Sequence, residues 1–260
     1  MHIAQYIKAQ DLASAWAMNQ KKGSVVLGSC CWLRLSQQRL YRQVIDIADL
    51  GLDTIEETDV AFRIGAMVTL RQVETSPVLA QYTQGAFQEA VRHIVGTQFR
   101  NMATMGGSVC GRFGFSDILT LLLALQAEVE LYKKGRMPIA AFAEVGAGQD
   151  ILTHIIIPKT ARHTAYASLR LNATDFPIIA CAVSCTDTTV YSAIGARPMR
   201  AQVQAVAKQD VQTHGLDEMA QALADGLTYG TNTRGSAAYR HDMAAVLCRR
   251  LLKQTLEEEI

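Results

Sequence analysis

The run Thr104-Met105-Gly106-Gly107-Ser108 has the residue types needed to hold a phosphate. Two adjacent glycines let the backbone approach a ligand closely or take positive φ. Consecutive N–H groups in such a turn can converge on an anion, and the Thr104 and Ser108 hydroxyls add donors. A second glycine loop, Gly28-Ser29-Cys30-Cys31, comes directly after the apolar Val25-Val26-Leu27. It has neither the spacing of a Walker loop nor G-x-G-x-x-G. Taken alone, either loop reads equally as a tight turn. Asp117 stands where a helix begins, so its carboxylate either serves the helix end or accepts hydrogen bonds from a ligand. His93 and His154 lie beside apolar runs without a second histidine or acid at ligand spacing, and read as structural or surface residues. The six cysteines, Cys30, Cys31, Cys110, Cys181, Cys185 and Cys248, contain no C-x-x-C pair, and no spacing suits an iron–sulfur cluster. Cys110, Cys181 and Cys248 read as small apolar packing residues, with Cys181 and Cys185 on one face of a strand. The adjacent Cys30-Cys31 pair is poorly placed for a useful disulfide. No side chain stands out as an acid, base or nucleophile.

The elements that must position these residues are read from periodicity. Leu12, Ala15 and Trp16 have helical spacing, with Asp11 as cap and Gly23 as stop. Val25 to Leu27, Val44 to Ile47 and Phe62 to Ala66 are strands, and Thr69 is placed to cap a helix. Phe87, Val91, Ile94 and Val95 predict a helix ended by Gly96. Residues 101–111 are small, glycine-rich and expected not to be helical. Ser116-Asp117 opens a buried helix through Leu125. Glu128 to Tyr132 alternates like a half-exposed strand, turned back at Lys134-Gly135, and Ile151 to Pro158 adds another strand. Three strands come next, Tyr166 to Leu171, Ile178 to Thr186 and Val190 to Ala196, before helices near Leu216–Ala224 and Ala237–Leu252. Glu257-Glu258-Glu259 reads as a solvated tail. The fold class is α+β: a two-part α/β domain over residues 1–160, divided near 50–70, then an α+β domain over 161–260.

A chain of 260 residues with 49% hydrophobic and 19% charged residues is globular. Its net charge of +1 provides no basic field, which argues against nucleic acid and against an anionic membrane surface as partners. The start, Met1 to Lys8 with Asp11 close behind, lacks the pattern of a signal peptide. The most apolar run, Ile118 to Leu125, falls well short of the ~20 residues that cross a bilayer. The expectation is a soluble cytoplasmic protein without disulfides.

Several segments taken together carry more information. Arg100-Asn101-Met102-Ala103-Thr104-Met105-Gly106-Gly107-Ser108, then Ser116-Asp117, then Leu122 to Ala127, resemble the FAD-binding domain of molybdenum hydroxylase flavoproteins. That family includes the flavin part of xanthine dehydrogenase and the medium subunit of carbon monoxide dehydrogenase. The resemblance runs through the whole chain: Val26-Leu27-Gly28-Ser29, Arg63-Ile64-Gly65-Ala66, Asp150 to Pro158 and Arg234 to Arg240 match in order. It implies FAD held by a first loop, Val25, Val26, Leu27, Gly28, Ser29, Cys30, Cys31 and Trp32, and by a second, Thr104, Met105, Gly106, Gly107 and Ser108. Asp117 would hold a polar part of the cofactor, and Ile94 and Leu152 would pack on its rings. It further implies electron relay to NAD or another acceptor, in complex with a molybdopterin-binding large subunit and a 2Fe-2S small subunit. The chain departs from the family at Gly28-Ser29-Cys30, where Gly-Gly-Thr or Gly-Asn-Thr is common, and at Ser108, where Asn is usual. It also lacks the usual proline in Arg112 to Phe115, and carries serine at Ser168, near which Lys or Arg is common. Those departures leave a second reading, a non-catalytic assembly scaffold. A third, a free-standing flavin oxidase, lacks room for a substrate domain.

Overall fold

The computed structural model describes residues 2–35 and 40–257. Glu258 and Glu259 of the acidic tail lie outside the described residues. The chain forms two compact units, each assembled from three separate stretches of sequence.

The first unit comprises Met1–Gln72, Thr97–Gly111 and Ala127–Pro158. Strands β1 (His2–Ile3) and β4 (Leu40–Tyr41) pair in parallel. Strands β2 (Tyr6–Lys8), β3 (Ser24–Leu27) and β5 (Gln43–Asp46) form a parallel sheet in the order β2-β5-β3. Helix α1 (Leu12–Asn19) connects β2 to β3. The Asp11 carboxylate accepts the Ser14 N–H, and the Ser14 hydroxyl accepts the Asp11 N–H, a capping box that accounts for the helix start. Ala15, Ile45, Ile47 and Leu52 form the local core. A second, antiparallel sheet runs β6 (Ile55–Glu57), β7 (Ala61–Gly65), β10 (Leu152–Pro158), β8 (Glu128–Leu131), β9 (Gly135–Pro138). Gly135 takes φ +72° in the β8–β9 turn, the left-handed conformation that glycine adopts without steric cost. Helices α5 (Thr97–Arg100), α6 (Met105–Cys110) and α8 (Ile139–Val145) complete the unit, and α2 (Leu70–Glu74) begins in it.

On this sheet Arg63, Glu130 and His154 meet. Arg63 Nη2 donates to Glu130 Oε2 at 2.8 Å, and lies 3.0 Å from His154 Nδ1. Burial, aided by the Arg63 charge, holds the imidazole below its ordinary value against the opposing pull of Glu130. A histidine kept neutral in the fold but free to charge at ~6.5 when unfolded makes the unfolded chain bind the proton first. Stability that is fully present above that value is therefore lost as pH falls below it. We expect the urea midpoint to drop between about pH 7 and about pH 5.5, and His154→Gln to flatten that drop. A midpoint that rises on acidification would contradict the assignment.

The second unit comprises Val73–Gly96, Arg112–Gln126 and Lys159–Ile260. Its sheet is antiparallel, β11 (His163–Leu169), β12 (Ile179–Cys185), β13 (Thr189–Gly195), β14 (Gln202–Ala207) in that order. Cys181, Val183 and Cys185 face a core built with α10 (Leu216–Asp225) and α11 (Ala237–Glu257), as expected of thiols alternating on one strand face. Helix α7 (Asp117–Ala124) packs on β12 and β13, where Gly195 leaves room for Thr120: a Cβ there would stand 2.2 Å from the threonine hydroxyl. Helices α3 (Pro77–Tyr82), α4 (Ala86–Arg92) and α9 (Lys208–His214) complete this unit.

Four expectations need correction. Residues 105–110 are helical, because Thr104 caps them and the fold presses a strand end against Gly106, overriding glycine's weak helix propensity. The helix through Phe87 and Val91 stops at Arg92, and Val95 rather than Gly96 takes the left-handed turn, φ +54°. Cys110 is exposed at the end of α6 instead of packed. Strand β14, whose residues are half-buried or exposed, carries too weak an apolar alternation to read in advance.

Candidate functional site

The two glycine loops, distant in sequence, meet in the first unit. Val25, Val26 and Leu27 are fixed in β3 by parallel pairing with Val44, Ile45 and Asp46, which delivers Gly28 at the strand's end. A Cβ at Gly28 would lie 2.7 Å from Thr104 Oγ1, so this position requires glycine. Cys30 adopts φ +64°, a left-handed turn residue of the kind that directs successive N–H groups to one side. Trp32 Nε1 donates to Ser108 Oγ at 3.0 Å across 76 positions, and its ring meets Phe99 edge-on at 5.1 Å. Ser108 Oγ in turn donates to the Thr104 carbonyl at 2.8 Å.

The donor inventory differs from the one the glycine pair alone suggests. Met105 N–H is bound to Val68 O and Gly106 N–H to Ala66 O, each at 2.8 Å. Gly107 N–H reaches Thr104 Oγ1 at 3.2 Å and Ser108 N–H the Thr104 carbonyl at 3.0 Å. The second loop therefore offers smallness rather than free amides. A Cβ at Gly107 would approach Thr104 Oγ1 to 3.1 Å and Trp32 Cδ1 to 3.4 Å. In the first loop, among the described residues, the N–H groups of Ser29, Cys30 and Cys31 bind no other backbone group. Uncommitted amides beside a glycine that cannot carry a side chain make a cradle of the kind a diphosphate needs.

Leu152, expected to contact the cofactor rings, is buried in β10 of this unit opposite Leu131. Ile94 is buried in the second unit just beyond α4, and Asp117 belongs to that unit too.

Asp117 occupies the first turn of α7, after the cap Ser116, whose hydroxyl accepts the Leu119 N–H at 3.1 Å. Its Oδ1 accepts from the Tyr166 hydroxyl and, at 2.5 Å, from Arg170 Nη2. Arg170 also donates from Nη1 to the Asp175 carbonyl at 2.6 Å and from Nε to Ser168 Oγ at 3.1 Å. Burial pushes the Asp117 carboxyl above its ordinary value, while Arg170 and Tyr166 pull it back. Burial and the neighbouring carboxylate drive the Tyr166 hydroxyl far upward, so it keeps the proton that it donates to Asp117. Tyr166 and Arg170 escape a reading of the sequence because they lie 49 and 53 positions from Asp117. The one local signal is a cation close to Ser168, where the resembled family carries one.

The model of the FAD-binding domain in molybdopterin dehydrogenase matches residues 2–160. The chain belongs to this family. The CO dehydrogenase flavoprotein C-terminal domain matches residues 164–255. The chain is 28% identical over 239 residues to the nicotine 6-hydroxylase medium subunit of Paenarthrobacter nicotinovorans, covering 85% of this chain and 83% of the relative. It is also 28% identical to the carbon monoxide dehydrogenase medium chain of Afipia carboxidovorans, covering 96% and 95%. Among solved structures, quinoline 2-oxidoreductase from Pseudomonas putida 86 matches with a TM-score of 0.87 at 18% identity, over 99% of this chain and 98% of that one. The Cu,Mo-CO dehydrogenase matches at 0.83 with 24% identity, over 98% of each chain. Both structural likenesses speak to fold. This member of the molybdopterin dehydrogenase FAD-binding family is an FAD-binding oxidoreductase subunit of the xanthine dehydrogenase and CO dehydrogenase type. The amides of the first loop and the glycine at position 28 fit that cofactor.

Proposed function

We propose that this chain relays electrons within a larger complex, receiving them from a 2Fe-2S small subunit served by a molybdopterin-binding large subunit, and passing them to NAD or another acceptor. The observation that carries this reading is the docking of the two glycine loops on each other, Gly28 against Thr104 and Trp32 against Ser108. FAD held there would supply the redox chemistry that links one-electron and two-electron carriers. The chain's own residues bind and orient. The stretch Val25 to Trp32 presents amides to the diphosphate, and Thr104 to Ser108 keeps its approach clear. Asp117 holds a polar part of the cofactor, and Ile94 and Leu152 cover its rings. None of these residues is assigned proton transfer. The near-neutral net charge of +1 suits short-range docking to partner subunits better than long-range steering. Among the described residues no helix is long and apolar enough to cross a membrane, and we place the complex in the cytoplasm.

The purified chain is expected to be yellow and to release FAD, not FMN, on denaturation, because of the two flavins only FAD has a diphosphate to fill the cradle. Absorbance and chromatography of the released flavin decide this. A colourless protein that also fails to take up added FAD would support the scaffold reading suggested by Ser29 and Cys30.

A further inference from the structure

We infer that Trp32 is a positioning residue for FAD: its indole clamps the first glycine loop to α6, so that the amides of Ser29, Cys30 and Cys31 are set for a diphosphate before the cofactor arrives. The inference rests on the reading of that loop as the diphosphate cradle.

The first loop is tied down at both ends, and both ties fall on one turn of one helix. At its start, Gly28 sits so close to the Thr104 side chain that a Cβ would stand 2.7 Å from Oγ1. At its end, Trp32 Nε1 donates to Ser108 Oγ at 3.0 Å. Thr104 caps α6 and Ser108 follows it by four positions, so the two anchors lie on the same face of the helix. Ser29, Cys30 and Cys31 span the interval, with the left-handed turn at Cys30, φ +64°. Beyond Trp32 the chain tightens at once into a short turn over Leu33–Leu35. There the Leu35 N–H donates to Trp32 O at 3.0 Å and the Arg34 N–H to Cys30 O at 3.4 Å.

No donor of Ser108 is left for a phosphate. Its hydroxyl donates to the Thr104 carbonyl at 2.8 Å, and its N–H goes to the same carbonyl at 3.0 Å. The buried Ser108 hydroxyl therefore serves the loop through the indole it accepts from. Two further contacts fix that indole. Phe99 of α5 meets it edge-on, 5.1 Å between centroids. Gly107 keeps the adjoining face of α6 flat: a Cβ there would already touch Trp32 Cδ1, at 3.4 Å, and a larger side chain would displace the ring. A cradle ordered in advance binds more tightly, because the cost of ordering it is not subtracted from the binding energy.

The test is FAD binding to the flavin-free full chain, followed by flavin fluorescence, with ADP as competitor because it carries the diphosphate without the flavin. Trp32→Phe keeps a ring against Phe99 but removes the N–H, and Ser108→Ala removes its acceptor. Each should weaken FAD and ADP alike, by roughly five- to tenfold for one lost hydrogen bond. The double variant should bind no worse than either single one, as partners in one contact do. Trp16 and Trp32 are the two tryptophans of the chain. In a Trp16→Phe background, Ser108→Ala should change the Trp32 emission with no flavin present. Losses that add, losses for FAD but not for ADP, or binding untouched by both variants overturn the proposal, the second by making Trp32 a ring contact. An emission change that appears only after FAD is added also overturns it, since the contact would then form with the cofactor. A wild-type chain that takes up neither FAD nor ADP overturns the cradle reading itself.

Discussion

Asp117→Ala should lower the unfolding free energy by about 3–5 kcal/mol, the cost of leaving one member of a buried ion pair without its partner. The Arg170 and Asp117 side chains are each 6% exposed, so water cannot replace the lost carboxylate. Tyr166 loses its acceptor in the same step. For a chain this long the melting temperature should fall on the order of 10 °C. The pair also joins α7 to the segment after β11, through the Asp175 carbonyl held by Arg170, so local loosening should reach Phe176. Asp117→Asn keeps an acceptor for Tyr166 and removes only the charge. Its loss should be smaller, and FAD retention should weaken while flavin reduction at saturating FAD stays near normal in the assembled complex. Urea denaturation of the flavin-free chain isolates the structural part, and stopped-flow reduction of the complex isolates the chemical part. An Asp117→Ala midpoint equal to wild type would show that Arg170 finds another partner. A reduction rate lower by orders of magnitude in Asp117→Asn, with FAD bound, would place the carboxylate in the chemistry.

Gly28→Val should abolish FAD retention, leaving roughly a tenth or less of the wild-type flavin, with circular dichroism little changed. The first added carbon already stands 2.7 Å from Thr104 Oγ1, closer than such contacts occur, and because the backbone fixes a Cβ no side-chain rotation relieves it, while the branches of valine add bulk. Either the first loop moves off the second or Thr104 abandons its cap on α6. Gly28→Ala combined with Thr104→Ala removes the obstructing hydroxyl and should regain part of the binding, at the cost of about 1 kcal/mol for the lost cap. Gly107→Val is expected to lose flavin as well, since its Cβ points between Thr104 Oγ1 and Trp32. Gly28→Val with full flavin content would remove the first loop from the cofactor site.

Whatever depends on neighbours a few positions away is legible in the order of residues. Asp11 with Ser14, and Ser116 ahead of the leucine-rich α7, announce their helices because a cap and its amides lie within one turn. Cys181, Val183 and Cys185 announce a strand face because side chains alternate. The glycines of the two loops were likewise visible, along with the family they resemble. Tertiary structure alone decided the part those glycines play. Residues 105–110 become a capped helix because Ala66 and Val68 offer carbonyls to Gly106 and Met105, and those acceptors come from a strand end far earlier in the chain. That pairing spends the amides of the second loop and leaves the free ones in the first, a transfer no local pattern encodes. The partners of Asp117 are decided in the same way. An isolated carboxylate at a helix start is favoured by the helix dipole, but once buried its charge depends on whatever cation the fold brings to it, here Arg170 from the end of β11. Periodicity and capping are short-range and survive in one dimension, whereas burial and hydrogen-bond partnership depend on distances that exist only after the chain has closed on itself.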